Sequence, residues 1–227
     1  ALALHGRKPD VPDAALAGIL SRHNTPWFSF TADLSDPDAV QHLIPSVEAH
    51  FGQAPDLLVN NASQFEWDDP ASVTPASLSA HFNVNAGAPV TLATALASHV
   101  AQGQTATVIN ILDQRIRHPG GDQLSYTISK LALFGATETL ARALAPNVRV
   151  NAVAPSFVRT PRLLDLGADF WSDISAALPL RRPAEPSDIA KALVFLLSDM
   201  SSCMTGAIVP VDGGLANVAA VKGFLKD

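Results

Sequence analysis

Tyr126 and Lys130 stand four residues apart in the segment LSYTISKLALFGATETLAR, a spacing that puts a phenol and an ammonium on one face of a helix. Asp113 closes the apolar run TATVINILD just upstream. A phenol, an ammonium and a carboxylate in one place are the groups needed to deliver a proton to a polarised C=O or C=N bond. A free phenol has a pKa of about 10, so a nearby positive charge favours phenolate and eases proton release. Tyrosine and lysine also fall at this spacing by chance on amphipathic helices, so the pair needs company. It has it in LVNNAS at 58–63, FNVNAGAP at 82–89, VRVNAVAPS at 148–156 and VDGG at 211–214.

The elements that must position these groups alternate. ALALH at the start reads as a short buried strand, and PDAALAGILSRH as a helix entered through Pro12. WFSFTA at 27–32 is a second strand. A helix follows with Asp36 as cap, Pro37 in its first turn and Gly52 at its end. DLLVN is the next strand, and Thr74 with Pro75 opens a helix that runs, after an interruption, to about residue 99. TATVINIL, VRVNAVA and AIVPVDGG complete the strands, separated by the helices SYTISKLALFGATETLARALA and EPSDIAKALVFLLSD. Short apolar strands between helices predict an α/β fold with a parallel sheet covered on both faces. Residues 157–183 break the alternation; this excursion, with Phe170 and Trp171, is either a lid or substrate wall or a helix packed on the surface by its aromatics.

Bulk properties narrow the partners. With 227 residues, 48% hydrophobic and 16% charged, the chain is expected to fold as one domain, with no repeat or Gly/Ser-rich linker dividing it. A formal charge of −6 supplies no general attraction to nucleic acid or to an anionic membrane. Cys203 is the lone cysteine, and the seven histidines lack a metal-site spacing, so neither a disulfide within the chain nor a zinc site is expected. No apolar stretch reaches the roughly 20 residues that span a bilayer, and no signal-peptide pattern opens the chain. The expected setting is cytoplasmic and the expected partner a small molecule.

On these motifs the chain resembles the short-chain dehydrogenase/reductase family, and within it the pteridine reductase group, over nearly all of its length. The resemblance implies a Rossmann-like doubly wound parallel sheet with helices on both faces. It implies that Tyr126 and Lys130 are the catalytic pair, that Asn85 is the asparagine of the bent helix holding a water beside them, and that Tyr126 and Lys130 also hold the nicotinamide ribose. Where most members carry serine, Asp113 stands, as in pteridine reductases; a structural cap is the other reading. NNAS with Gln64 and Phe65 is similar to the stretch in which serine touches cofactor and pterin while phenylalanine covers the pterin ring, so Ser63, Phe65, Asp113 and Tyr126 are the implied substrate contacts. Phe65 as a core residue is the alternative. Gln114 and Arg115 either reach the pterin's polar edge or solvate their loop.

For the cofactor, the resemblance implies NADP(H) held by Arg7, Asp33, Leu34, Asn61, Ala62, Ser63, Pro155, Ser156 and Val158. Arg7 follows the first strand where the family reads a 2′-phosphate, and no acidic residue for a ribose diol stands there. Asp33 resembles the adenine-side aspartate, with a turn or cap as the other possibility. Pro155 and Ser156 occupy the place of the usual Pro-Gly. The family's opening strand and TGxxxGxG loop are not in these 227 residues, as though roughly 30 to 40 residues, about one strand–helix unit, preceded them. Without that unit, adjacent strand edges should be unpaired and apolar surface exposed.

The expected function is therefore NADPH-dependent reduction of a dihydropterin or related pteridine. The alternatives are reduction of a 3-oxoacyl thioester, sugar or small ketone, or a non-catalytic nucleotide-binding or structural subunit. The apolar helices 75–99 and 125–145, with the resemblance, point to a homotetramer or homodimer.

Overall fold

In the computed structural model, which describes residues 1–8, 12–160, 163 and 165–217, the apolar runs form parallel strands. β1 (Leu2–Gly6) pairs with β2 (Trp27–Thr31), and β3 (Leu57–Asn60), β4 (Ala106–Ile111), β5 (Val148–Pro155) and β6 (Ile208–Val211) lie side by side in that order. Parallel pairing requires crossovers, and the helices supply them: α1 (Ala14–Arg22), α2 (Pro37–Phe51), α3 (Pro75–Phe82), α4 (Ala88–His99), α5 (Leu124–Ala143), α6 (Ala168–Ala177) and α7 (Pro186–Leu197). This is the parallel α/β arrangement expected from the alternation, and it is Rossmann-like as the resemblance implies.

Local chemistry explains the boundaries. The Asp36 carboxylate accepts the Asp38 and Ala39 N–H groups, Pro37 sits in the first turn of α2, and Gly52 at φ +76° ends it. Thr74 and Ser77 form a reciprocal capping box at the start of α3. The expected interruption before α4 is one wide π-helical turn, Asn83–Gly87, so the chain stays helical while its phase shifts. Asp13 caps α1, which starts at Ala14, two residues after the Pro12 through which entry is expected. The strand read through Gly214 stops at Val211, because the Asp212 carboxylate accepts the Gly214 and Ala216 N–H groups and turns the chain.

β4 and β5 alternate between two buried faces. Val108 and Val150 join α2, α4 and the end of α5 in one core that also contains Phe30 of β2. Ile109 and Val153 point the other way and pack with Leu196 and its neighbours on α7. Burial on both faces is why these strands read as continuous apolar runs.

β1 pairs only with β2 and β3 only with β4 among the described residues, so each has an edge without a strand partner. Leu57 and Val59 of β3 are exposed. The pieces are joined through the helices, since the core under β2 is continuous with that of β4 and β5. Leu96 of α4 is fully buried in this shared core. Leu96→Ala is expected to lower stability by about 2–5 kcal/mol, read as a lower urea midpoint with an unchanged slope.

Candidate active site

β4 ends at Ile111, and the two residues after it carry the chain to Asp113, in front of α5. The Tyr126 hydroxyl donates to Asp113 Oδ2 at 2.9 Å, while Asp113 Oδ1 accepts the Arg115 N–H at 2.9 Å and starts the short 3₁₀ turn Gln114–Ile116. The carboxylate is thus both a cap and a partner of the phenol, one oxygen for each. One helical turn on, Lys130 Nζ donates to the Ile111 carbonyl at 2.8 Å and lies 5.7 Å from the centre of the Tyr126 ring. Tyr126 and Lys130 are both buried. Desolvation lowers the Lys130 ammonium to about 8, against the opposing field of Asp113. Burial also raises the Asp113 carboxyl above the usual carboxylate range, although the Arg115 N–H, the Tyr126 hydroxyl and the Lys130 charge pull the other way.

The π turn delivers Asn85 to the opposite wall. Its Oδ1 accepts the Ser63 hydroxyl at 3.1 Å and the Gln64 N–H at 2.7 Å; its Nδ2 donates to the Gln64 carbonyl and to Ser129 Oγ, both at 2.9 Å. All four positions of the amide are filled by protein groups, so its side chain ties the 63–64 loop to α5. That loop brings Phe65 edge-on to Tyr126, ring centres 5.0 Å apart at 78°. Phe65 is half-buried, so it forms a wall beside the phenol and lies outside the buried core.

A cleft of about 280 Å³ opens where β1, β2 and β3 end. Arg7, Asp33, Leu34, Ala62, Ser63 and Phe65 all line it, together with His5 and Ser35. Ligands of open α/β sheets bind beyond the carboxyl ends of the strands. Arg7 is exposed at this cleft. Asp33 is held below the ordinary carboxylate range, first by the Ser35 N–H at 2.9 Å and then by the Ser35 hydroxyl at 2.8 Å, with a smaller contribution from the Arg7 charge. Asn61, just past β3, adjoins the cleft in sequence but does not line it. Pro155, Ser156 and Val158 also lie elsewhere: the β4–β5 register matches Ile111 with Val153, which brings Pro155 level with Asp113. Ser156 Oγ donates to the Asp212 carbonyl at 3.1 Å and ties the ends of β5 and β6 together. Val158 bridges to Ala184.

Arg115 is buried and pairs with Asp122 at 2.9 Å, which closes the loop before α5. A Cβ on Gly120 would come within 2.7 Å of Asp122 Oδ1 and 2.8 Å of Arg115 Nη1, so the pair as it stands uses the space that glycine leaves. Within 157–183, whose Pro161, Arg162 and Leu164 lie outside the described residues, α6 buries Trp171 and Ile174. Phe157, Phe170 and Trp171 form an edge-to-face row, with Arg159 over Trp171 at 5.4 Å. No group of His, Cys, Asp and Glu among the described residues is arranged to hold a metal ion.

Two residues carried no motif to flag them. Asp68 and His81 are buried and join the Phe65 loop to α5 and α3. A signal for Asp68 did exist: Gln123, before α5, offers no side-chain cap, so the cap had to come from elsewhere in the chain. The unfolded chain holds the Lys130 proton to higher pH than the folded one, so stability should rise as pH climbs from about 8 toward the ordinary lysine value. Nitrogen NMR of lysine-labelled protein is expected to place the Lys130 midpoint near 8. Asp113→Asn should lower that midpoint further, because desolvation is then unopposed; a midpoint in the ordinary lysine range would contradict the burial of this ammonium.

The family described as enoyl-(acyl carrier protein) reductase matches residues 1–216. A 3alpha-hydroxysteroid dehydrogenase of Mediterraneibacter gnavus is 33% identical over 215 residues, covering 94% of this chain and 86% of that protein. A 2-dehydro-3-deoxy-D-gluconate 5-dehydrogenase of Escherichia coli is 34% identical over 193 residues, covering 83% of this chain and 76% of that protein. Among solved structures, FolM alternative dihydrofolate reductase 1 from Brucella canis complexed with NADP superposes with a TM-score of 0.82 at 30% identity, covering 99% of this chain and 87% of the other. The family match runs from β1 to the turn after β6, and the chain belongs to the short-chain dehydrogenase/reductase superfamily of oxidoreductases.

Proposed function

We propose that the chain is an NADP(H)-dependent reductase of a dihydropterin or a related pteridine. The observation that carries this reading is the Tyr126 hydroxyl bonded to Asp113 at 2.9 Å with the Phe65 ring edge-on beside it. A proton donor coupled to a second titratable group, next to an aromatic wall, suits a flat ring that must gain a proton on nitrogen. The similarity to the NADP complex of the Brucella canis alternative dihydrofolate reductase supports it.

The residues present fit the cofactor. Arg7, exposed at the cleft, would take the 2′-phosphate, with Asp33 and Leu34 toward the adenine. Asn61, Ala62 and Ser63 would pass along the riboses, and Pro155, Ser156 and Val158 would flank the nicotinamide. When bound, NADPH supplies a hydride to the electrophilic carbon. Tyr126 gives the proton from its hydroxyl. The Lys130 ammonium, 5.7 Å from the ring centre, stabilises the phenolate that remains. Asp113, whose raised pKa keeps it protonated to higher pH than an ordinary carboxylate, can return a proton across the 2.9 Å bond. Asn85 holds the loop that carries Ser63 and Phe65 against this centre, and those two side chains orient the substrate.

Such a reductase would serve tetrahydropterin or folate supply in the cytoplasm; no helix among the described residues is long and apolar enough to cross a membrane. Phe82, Ile128 and Leu131 are exposed on α3 and α5, and a homodimer or homotetramer would cover them. Light scattering is expected to find an assembly larger than one chain, and a monodisperse monomer under active conditions would reject it.

With NADPH, a dihydropterin should be turned over more efficiently than a 3-oxoacyl thioester, a sugar or a steroid ketone; turnover of those with none of dihydropterin would sink the pteridine reading. Tyr126→Phe is expected to lower kcat by about 10²–10⁴-fold, the usual worth of a positioned acid. Phe65→Ala should act mainly on KM, raising it by about ten-fold through lost ring contact and burial.

A further inference from the structure

Helix α5 begins without a cap of its own. The first N–H groups of a helix have no partner inside it, and Gln123, ahead of Leu124, sits in the left-handed region at φ +52° with no side-chain bond to the helix. The Ser125 N–H is taken by Asp68, 57 residues earlier, at 3.2 Å. The Asp68 carboxylate also accepts the Ser125 hydroxyl in a short bond and the Ser77 hydroxyl at 3.3 Å, and its backbone carbonyl accepts the Gln123 N–H at 2.6 Å. Asp68 is 4% exposed and Ser125 1% exposed. A carboxylate buried at a helix N-terminus among three donors is stabilised by bonds and dipole together.

The same loop is pinned again two residues before Asp68. The Glu66 N–H donates to His81 Nε2 at 3.0 Å, and His81 Nδ1 bonds the Ser77 carbonyl at 2.9 Å with the ring fully buried. Accepting at Nε2 leaves the His81 proton on Nδ1. Trp67, between the two pins, is 60% exposed, so the loop is held by its polar members. Its attachments reach consecutive residues of α5: Asp68 to Ser125, and the Phe65 ring to the Tyr126 ring.

We propose that Asp68 is a positioning residue that sets substrate shape selectivity: by clamping the first turn of α5 to the 65–68 loop, it fixes the gap between Phe65 and the Tyr126 hydroxyl. This rests on the reading of Tyr126 as proton donor and Phe65 as substrate wall. A carboxylate that only stabilised the fold would alter melting and the active fraction. One that sets the gap discriminates between a flat ring and a flexible ketone in each folded molecule, because only the flat ring is gripped on its face.

The test compares the wild-type chain with Asp68→Asn, which keeps the size and loses the charge, Ser125→Ala, which keeps the backbone N–H, and the double variant. Amide hydrogen exchange at residues 125–127 should rise by about ten-fold in Asp68→Asn, with the second half of α5 unchanged. KM for a dihydropterin should rise by about ten-fold, whereas KM for a small aliphatic ketone and the Kd for NADPH should change by less than about two-fold. Ser125→Ala should do less, and the double variant no more than Asp68→Asn, since both act on one clamp. Unchanged exchange at 125–127, a rise spread over all of α5, or an equal loss for both substrates would overturn the proposal. A wild-type protein that reduces ketones and no dihydropterin would end the pteridine reading alone, the same comparison then being made between a flat aromatic ketone and a small aliphatic one, and a protein that reduces neither would overturn the selectivity as well.

Discussion

Burying a lysine ammonium is the demand that the surroundings of α5 answer. Lys130 is 3% exposed, and a charge at that depth is costly unless hydrogen-bonded and paired. Its hydrogen bond goes to the carbonyl of Ile111, the last residue of β4, and the opposing charge comes from Asp113 two residues later. The end of β4, the turn after it and the phase of α5 are therefore constrained together. Tyr126, one turn before Lys130, bonds that carboxylate at 2.9 Å and has its ring centre 5.7 Å from the ammonium.

Around this centre, saturated polar networks fix distance where apolar packing alone would fix only proximity. Asn85 spends both donors and both acceptor positions on Ser63, Gln64 and Ser129, joining the π turn, the Phe65 loop and α5. Behind it, Asn60 donates to Asn110 and Asn110 to Thr137, a chain from β3 through β4 into α5. Asp68 adds a third tie at the start of the helix. Each network crosses from strand or loop to α5, so the helix is held at its first turn, its middle and its inner face.

The cleft has another character. Its walls come from the segments that follow β1, β2 and β3, and it gathers His5, at the end of β1, and Arg7, just past it, beside Asp33 and Ser35, which follow β2. Its cationic and hydroxyl donors suit a phosphate, whereas the groups suited to proton transfer, Tyr126 and Lys130, do not line it and meet it through Phe65, which lines the cleft and stands edge-on to Tyr126.

The strand–helix alternation, the caps at Asp36 and Thr74, and the grouping of Asp113, Tyr126 and Lys130 were legible in the sequence, because spacing and turn chemistry act over a few residues and leave a local pattern. The π turn was visible only as an interruption, since a change of helical phase depends on what Asn85 reaches. Whether Arg115 faces a ligand or closes a loop depended on Asp122 and on the space left by Gly120. Asp68 and His81 carried no motif because the bonds that place them are not local: the Asp68–Ser125 bond spans 57 residues, and the Glu66 N–H that His81 accepts comes from a loop 15 residues earlier. The sequence by itself determined which groups could do chemistry and that one helix carries two of them. The tertiary structure decided which oxygen of Asp113 meets the phenol, how Phe65 stands to Tyr126 and what caps α5, because such bonds form between elements whose separation no local pattern encodes.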